Sequence, residues 1–255
     1  MIDTVFSIAI VSLVLGSCFG SFANMLIYRL CSEHSIFGLR SICPKCNTPL
    51  GFIDLIPIIS FLLCRGRCRS CNQPILKRYI IVELIVPVLF FFFLYPQSFM
   101  FFNFHYLLFG FSLIILFFTD LESFLLPLPL TSLLIILGLT MCFLDGIFLD
   151  RLLPSLVIGL GFLFFRMIAN FIYKQDTFGL GDVILLVALS LNLGWKICIA
   201  SFYAAIILGS LFSLILILLK QRSRKDVIPF GPFIIIGVLC SHTFLEVVSP
   251  FLFLN

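Results

Sequence analysis

From Thr4 to Tyr28 the chain carries no charged residue. That run exceeds the roughly 20 apolar residues that take an α-helix across a bilayer. Further apolar stretches cover about 80–95, 105–119, 124–144, 152–173, 182–194, 197–219 and 230–253. Together they predict an all-α polytopic membrane protein with about eight transmembrane helices. The 80–95 and 182–194 stretches are short, which predicts a packed or tilted arrangement. Composition agrees: 62% of the 255 residues are hydrophobic and 11% charged, where soluble domains run about 45–50% and 25%. A soluble globular enzyme, a disordered chain and a basic nucleic-acid binder are excluded. Membrane lipids are the expected surroundings, and the 33 Phe read as lipid-facing filler.

Residues 30–79 break the pattern. They are polar, basic and cysteine-rich, and read as a small extramembrane insert between a first helix (1–29) and a bundle (80–255). Positive charge is retained on the cytoplasmic side of a membrane. With the insert inside, Arg29, Arg40, Lys45, Arg65, Arg67, Arg69, Lys77 and Arg78 are cytoplasmic, as are Lys174, Lys220, Arg222, Arg224 and Lys225. Arg151 and Lys196 fall outside, and Arg166 lies within a span. The amino terminus is therefore expected outside. Met1-Ile2-Asp3 lacks the basic region of a cleavable signal, so the first run reads as a retained helix. The Lys220–Lys225 cluster reads as a positive-inside anchor, and Arg166 should snorkel or pair with an acid.

Inside the insert, Cys43-Pro44-Lys45-Cys46 is followed after a gap by Cys68-Arg69-Ser70-Cys71. Two C-x-x-C knuckles can close four thiolates around one tetrahedral Zn²⁺. A metal would help so small an insert to fold. Four unligated thiols and a redox pair are the other readings of this spacing, and Cys64 is a weaker substitute ligand. A closed Cys₄ site leaves no open position for catalysis. His34, His105 and His242 fit no metal spacing.

Asp120 and Asp182 stand at membrane spans, where an ionisable residue is costly and points to function. Asp120 follows the run Gly110–Thr119, and Asp182 follows Phe178-Gly179-Leu180-Gly181. Gly179 and Gly181 allow a sharp bend and close approach of a bound chain. With eight spans the turns 119–123 and 174–181 are cytoplasmic, so Asp120 and Asp182 sit at cytoplasmic helix ends, where they can meet. Two carboxylates sharing a site split their ionisation, one acting as base on water while the other keeps its proton. That is aspartyl peptide hydrolysis. The bland reading is two interfacial acids that mark helix ends.

Six ordered segments resemble the type IV prepilin peptidase family, the bifunctional leader peptidases and N-methyltransferases. They are Gly20-Ser21-Phe22-Ala23-Asn24 through Arg29, the two cysteine pairs with Asp54-Leu55-Ile56-Pro57 and Arg65-Gly66-Arg67-Cys68 between them, Arg78-Tyr79 through Glu83, Asp120 with Pro127, Gly179-Leu180-Gly181-Asp182, and Pro229-Phe230-Gly231-Pro232-Phe233. The sequence departs at Leu128 and Ile184, where the family often has Asp and Lys.

The resemblance implies a catalytic pair, Asp120 and Asp182. It implies prepilin or type II secretion pseudopilin substrates, cut on the cytoplasmic side of the bacterial inner membrane after a leader Gly. It further implies methyl transfer from S-adenosylmethionine to the new amino-terminal residue, usually Phe. Glu83, Asn24 and Arg29, at the cytoplasmic ends of their spans, are candidates for binding the substrate or methyl donor. The alternatives are a G-x-G-D intramembrane protease without methyltransferase activity, and a zinc-responsive transporter or receptor.

Overall fold

The computed structural model describes residues 2–32, 41–94, 100–174, 178–221 and 227–252, without the side chains of 2–4, 100–103 and 242–252. His34, Arg40, Arg222, Arg224 and Lys225 lie outside the described residues, as does the side chain of His242. The chain divides into two compact units, 1–119 and 120–255.

The first unit contains α1 (Ile2–Cys31), a 3₁₀ turn (Phe52–Leu55), α2 (Ile59–Leu63), α3 (Arg78–Leu94) and most of α4 (Met100–Ser123). α1 packs along α3. Lipid tails are as apolar as the helices, so close van der Waals packing has to hold such a pair together. Glycines permit it here: a Cβ at Gly16 would overlap the Pro87 backbone, and one at Gly20 would sit 2.8 Å from Glu83 Cα. Ala23, Asn24 and Ile27 continue the same face and are fully buried. The Asn24 side-chain amide donates across the interface to Tyr79 O at 2.9 Å.

The second unit is built around α7 (Leu180–Leu193), which packs against α5 (Leu128–Leu144), α6 (Phe148–Tyr173) and α8 (Trp195–Leu218). α8 also packs on α9 (Gly231–Leu252). α7 is apolar nearly all round and buried from Val183 to Asn192 save for Ile184 and Val187, as expected of a helix with neighbours on several sides. Polar side chains link the helices where water is absent. Asn192 donates to Leu134 O on α5 at 2.9 Å, and the Ser155 hydroxyl on α6 to Ser190 at 3.0 Å.

Among the described residues, four helical segments are long and apolar enough to cross a membrane: Val5–Cys31, Phe104–Ser123, Phe148–Tyr173 and Trp195–Leu218. The stretches expected at 80–95, 124–144 and 182–194 are helices of 17, 17 and 14 residues, and Gly231–Ser241 is a further short apolar segment. One boundary differs in a way that matters. The span expected to open at 124 begins at Leu128, because Phe124 takes a left-handed φ of 55° and Pro127 caps α5 from an extended conformation. Helix is disfavoured for the residue before a proline, so Leu125 and Leu126 form a connection although they are apolar. α4 in turn runs past 119, and Asp120 stands in its last turn rather than in a loop.

Candidate active site

Asp120 is 5% exposed at the carboxyl end of α4. A carboxylate there opposes the dipole of its own helix. The amino end of α9 offsets this: Gly231 N–H donates to Asp120 Oδ2 at 3.0 Å. A Cβ at Gly231 would lie 2.7 Å from that oxygen, so a side chain here would displace the carboxylate.

Asp182 is the third residue of α7, and Gly179 caps that helix. From this position a side chain reaches back to the cap's backbone, and the Asp182 carboxylate accepts a backbone hydrogen bond from Gly179. A Cβ at Gly179 would sit 2.8 Å from Asp182 Oδ2, and one at Gly181 2.9 Å from Leu126 Cβ. The G-x-G-D spacing thus has two physical reasons: one glycine clears the carboxylate, the other clears Leu126.

Leu126 stands between the helix starts that hold the two aspartates. A Cβ at Gly231 would also lie 3.3 Å from Leu126 Cδ2, so this one side chain fills the space between the starts of α7 and α9. Asp120 in turn acts electrostatically on Asp182. Behind them is an aromatic cluster. Phe178 and Phe230, each immediately before a site glycine, have ring centroids 5.9 Å apart. Phe202 packs on Phe230 at 5.9 Å and Phe162 packs on Phe202 at 4.5 Å. These rings fix the two helix entries against α6 and α8. Sequence reasoning assigned no role to Leu126, Phe178 or Phe230. The P-F-G-P-F segment was visible, but its function as a backbone donor depends on where α9 starts. Leu128, where the sequence departs from the family pattern, is 66% exposed on the first turn of α5.

In the first unit the four sulfurs of Cys43, Cys46, Cys68 and Cys71 lie within 4.8 Å of one another. Zn–S bonds of about 2.3 Å place tetrahedral sulfurs roughly 3.8 Å apart, so the donor set fits a metal of that kind. The two knuckles are repeats of one design, C-x-x-C-N-x-P, at Cys43–Pro49 and Cys68–Pro74. Asn47 and Asn72 take φ of 56° and 57°, a conformation that Asn tolerates better than most residues. Their N–H groups donate back to Cys43 O and Cys68 O, both at 2.9 Å. Ile42 bridges Pro49, and Arg67 bridges Pro74. The Thr48 hydroxyl, 2.8 Å from Cys46 Sγ, is the main cause holding that thiol down at about 6. A thiolate is the form that binds metal.

Glu83 is 7% exposed, and its carboxylate is occupied. Oε2 accepts Ile58 N–H at 2.7 Å, and the Ser21 side chain also bonds to it. Ile58 takes φ 62° and ψ −53°, with Ile59 N–H donating to Pro57 O at 2.5 Å. This is the rare, strained form of γ-turn, and a β-branched residue is a poor occupant of it. Asn24 Oδ1 is buried with no hydrogen-bond donor among the described residues. Arg29 is buried in the last turn of α1, where a cation suits the helix dipole.

The model of the type IV leader peptidase family matches residues 107–214, a stretch that includes both aspartates. That of the bacterial peptidase A24 N-terminal domain matches 14–96, which holds all four knuckle cysteines, Asn24, Arg29 and Glu83. The prepilin leader peptidase/N-methyltransferase of Bacillus subtilis is 30% identical over 243 residues, covering 93% of this chain and 95% of its own length. The chain belongs to the type IV leader peptidase family. A Vibrio cholerae member of the same name is 31% identical over 258 residues, covering 90% of this chain and 92% of its own. One from Myxococcus xanthus is 33% identical over 220 residues, covering 84% of this chain and 65% of its own. The chain therefore spans just under two thirds of that last family member. No solved structure matches the chain significantly.

Proposed function

We propose that this chain cleaves the leader of type IV prepilins or type II secretion pseudopilins after a leader Gly, then methylates the new amino-terminal residue. What supports the peptidase reading is that Leu126 lies against the starts of both α7, which carries Asp182, and α9, whose Gly231 N–H binds Asp120. One carboxylate takes a proton from water as the oxygen attacks the scissile carbonyl carbon. The other, protonated, gives its proton to the leaving amine. The N–H groups of Gly231 and Gly179 hold the two carboxylates in place, and the aromatic cluster fixes those donors.

Cys43, Cys46, Cys68 and Cys71 are the residues to hold zinc. A closed set of four thiolates contributes folding energy to the insert rather than a chemical step. S-adenosylmethionine, when bound, supplies the methyl group. The donorless Asn24 Oδ1 is an acceptor suited to an ammonium, a group carried both by that molecule and by a freed amino terminus. Arg29 stands further along the same helix as Asn24, and its cation is of the sign that suits the carboxylate of S-adenosylmethionine.

The positive-inside argument supports an amino terminus outside the inner membrane, with the insert and both aspartates at the cytoplasmic face. The purified chain, incubated with a pilin-like precursor and the methyl donor, should give a product cut after Gly and heavier by one methyl group. An uncut precursor across a panel of leaders, from a well-folded chain, would sink the proposal.

A further inference from the structure

The insert contains a segment that its cysteines and charges obscure. Residues 52–63 read Phe-Ile-Asp-Leu-Ile-Pro-Ile-Ile-Ser-Phe-Leu-Leu, with one charge among them. That charge is neutralised locally, because Arg69 Nε stands 3.1 Å from Asp54 Oδ1. A 12-residue apolar run is too short to span a bilayer and suits an interfacial or re-entrant position.

The segment does not bury itself. Phe52 is 93% exposed, Leu62 64% and Leu63 66%, with Ile53 and Ile59 each more than half exposed. An exposed apolar patch of this kind marks an interaction surface. Its surroundings favour lipid as the occupant. Arg65 and Arg67, which follow it closely in the chain, are exposed, as is Lys77, so exposed basic side chains follow the apolar run, as in segments that lie on anionic bilayers.

The depth is set by one bond. Glu83 is five residues into α3 from Arg78, about 7 Å along the helix axis. Exposed Ile81, Leu84 and Ile85 flank it, so α3 already presents an apolar surface at this level. The 2.7 Å bond from Ile58 N–H to Glu83 Oε2 therefore pins the turn between the 3₁₀ segment and α2 below the start of α3. Interfacial helices bury their apolar face about 5–10 Å into the headgroup boundary, which is the same depth. Ile58 holds its strained φ while its N–H bonds to a side chain of α3 rather than within the insert.

We propose that Phe52–Leu63 is an interfacial segment seated in the bilayer surface, with the Glu83–Ile58 bond as the latch that sets its depth. It would keep the four-thiolate centre at the membrane, where a substrate anchored in the same bilayer presents its cut end. Glu83 acts here as a positioning residue. The inference rests on the membrane reading of the chain and on neither catalytic activity.

The test uses the full chain in vesicles of phosphatidylcholine and phosphatidylglycerol. In a Trp195→Phe background, which removes the single Trp, Phe52→Trp and Leu62→Trp serve as two separate probes. Gln73→Trp, on the second knuckle, is the aqueous reference. Phosphatidylcholine brominated near the carboxyl end of its acyl chains should quench the first two several-fold more than acrylamide does, with the reverse for Gln73→Trp. Adding Glu83→Ala should shift the Phe52→Trp signal toward acrylamide. Acrylamide quenching equal to that of Gln73→Trp would place the segment in water and overturn the proposal. Protection from both quenchers would mean that protein covers it, and would overturn it equally. Quenching unchanged by Glu83→Ala would remove the latch. Each readout is independent of cleavage and methylation, so failure here leaves the proposed activities standing.

Discussion

Gly231 N–H donates to Asp120 Oδ2 at 3.0 Å, joining the start of the last helix to a carboxylate 111 residues earlier in the chain. The bond places a positive helix end against an acid that its own helix disfavours. It also gives the P-F-G-P-F segment a role that does not involve its side chains.

Gly231→Ala tests this directly, since the new Cβ would meet Asp120 Oδ2 at 2.7 Å. Hydrogen bonds to charged groups are worth about 1.5–3 kcal/mol, so kcat/KM for cleavage should fall roughly ten- to hundredfold. Gly161→Ala is the matched control, because a Cβ there meets nothing within 4 Å. Equal activity in both variants would separate Gly231 from the site.

The paired knuckles predict one zinc per chain, measurable by elemental analysis of the purified protein. Cys43→Ser should abolish it. Proton competition weakens thiolate sites as pH falls, and the Thr48 hydroxyl is the main group holding Cys46 down at about 6. A thiol with a lowered pKa stays charged until the pH drops through that value. Thr48→Ala should therefore raise the pH at which half of the metal is released. An unchanged release curve would contradict the role given to Thr48.

At Glu83 the strain and the bond can be separated. Glu83→Ala removes the acceptor for Ile58 N–H and should make the insert more susceptible to limited proteolysis. Glu83→Gln keeps an acceptor and should behave more like the parent. A residue in a strained φ costs about 1–3 kcal/mol, and Gly adopts positive φ freely. Ile58→Gly combined with Glu83→Ala should thus recover part of the lost protection. No recovery would mean that the turn is held by other contacts.

The helices, the two aspartates and the four cysteines were legible because each has a strong local signal: long uncharged runs, isolated acids at their ends, and paired thiols. The turn at Phe124–Pro127 was not, since apolar Leu125 and Leu126 look like helix and only the backbone at Phe124 reveals the break. Leu126 was missed for the same reason, as one leucine among many until its position between Gly181 and Gly231 is known. The repeat C-x-x-C-N-x-P was present in the sequence, and Asn47 and Asn72 could have marked the two turns. Residues 52–63 were grouped with a polar insert on the strength of their neighbours. Their exposure in the folded chain is what separates them.

The central claim is that Asp120 and Asp182 form one proteolytic site. It is tested most directly by co-expressing the chain with a pilin-like precursor and reading the product's amino terminus by mass spectrometry. Parent, Asp120→Ala and Asp182→Ala would be compared at equal membrane levels. The account predicts a product cut after Gly in the parent and intact precursor in both variants. Cleavage that survives either substitution would contradict it.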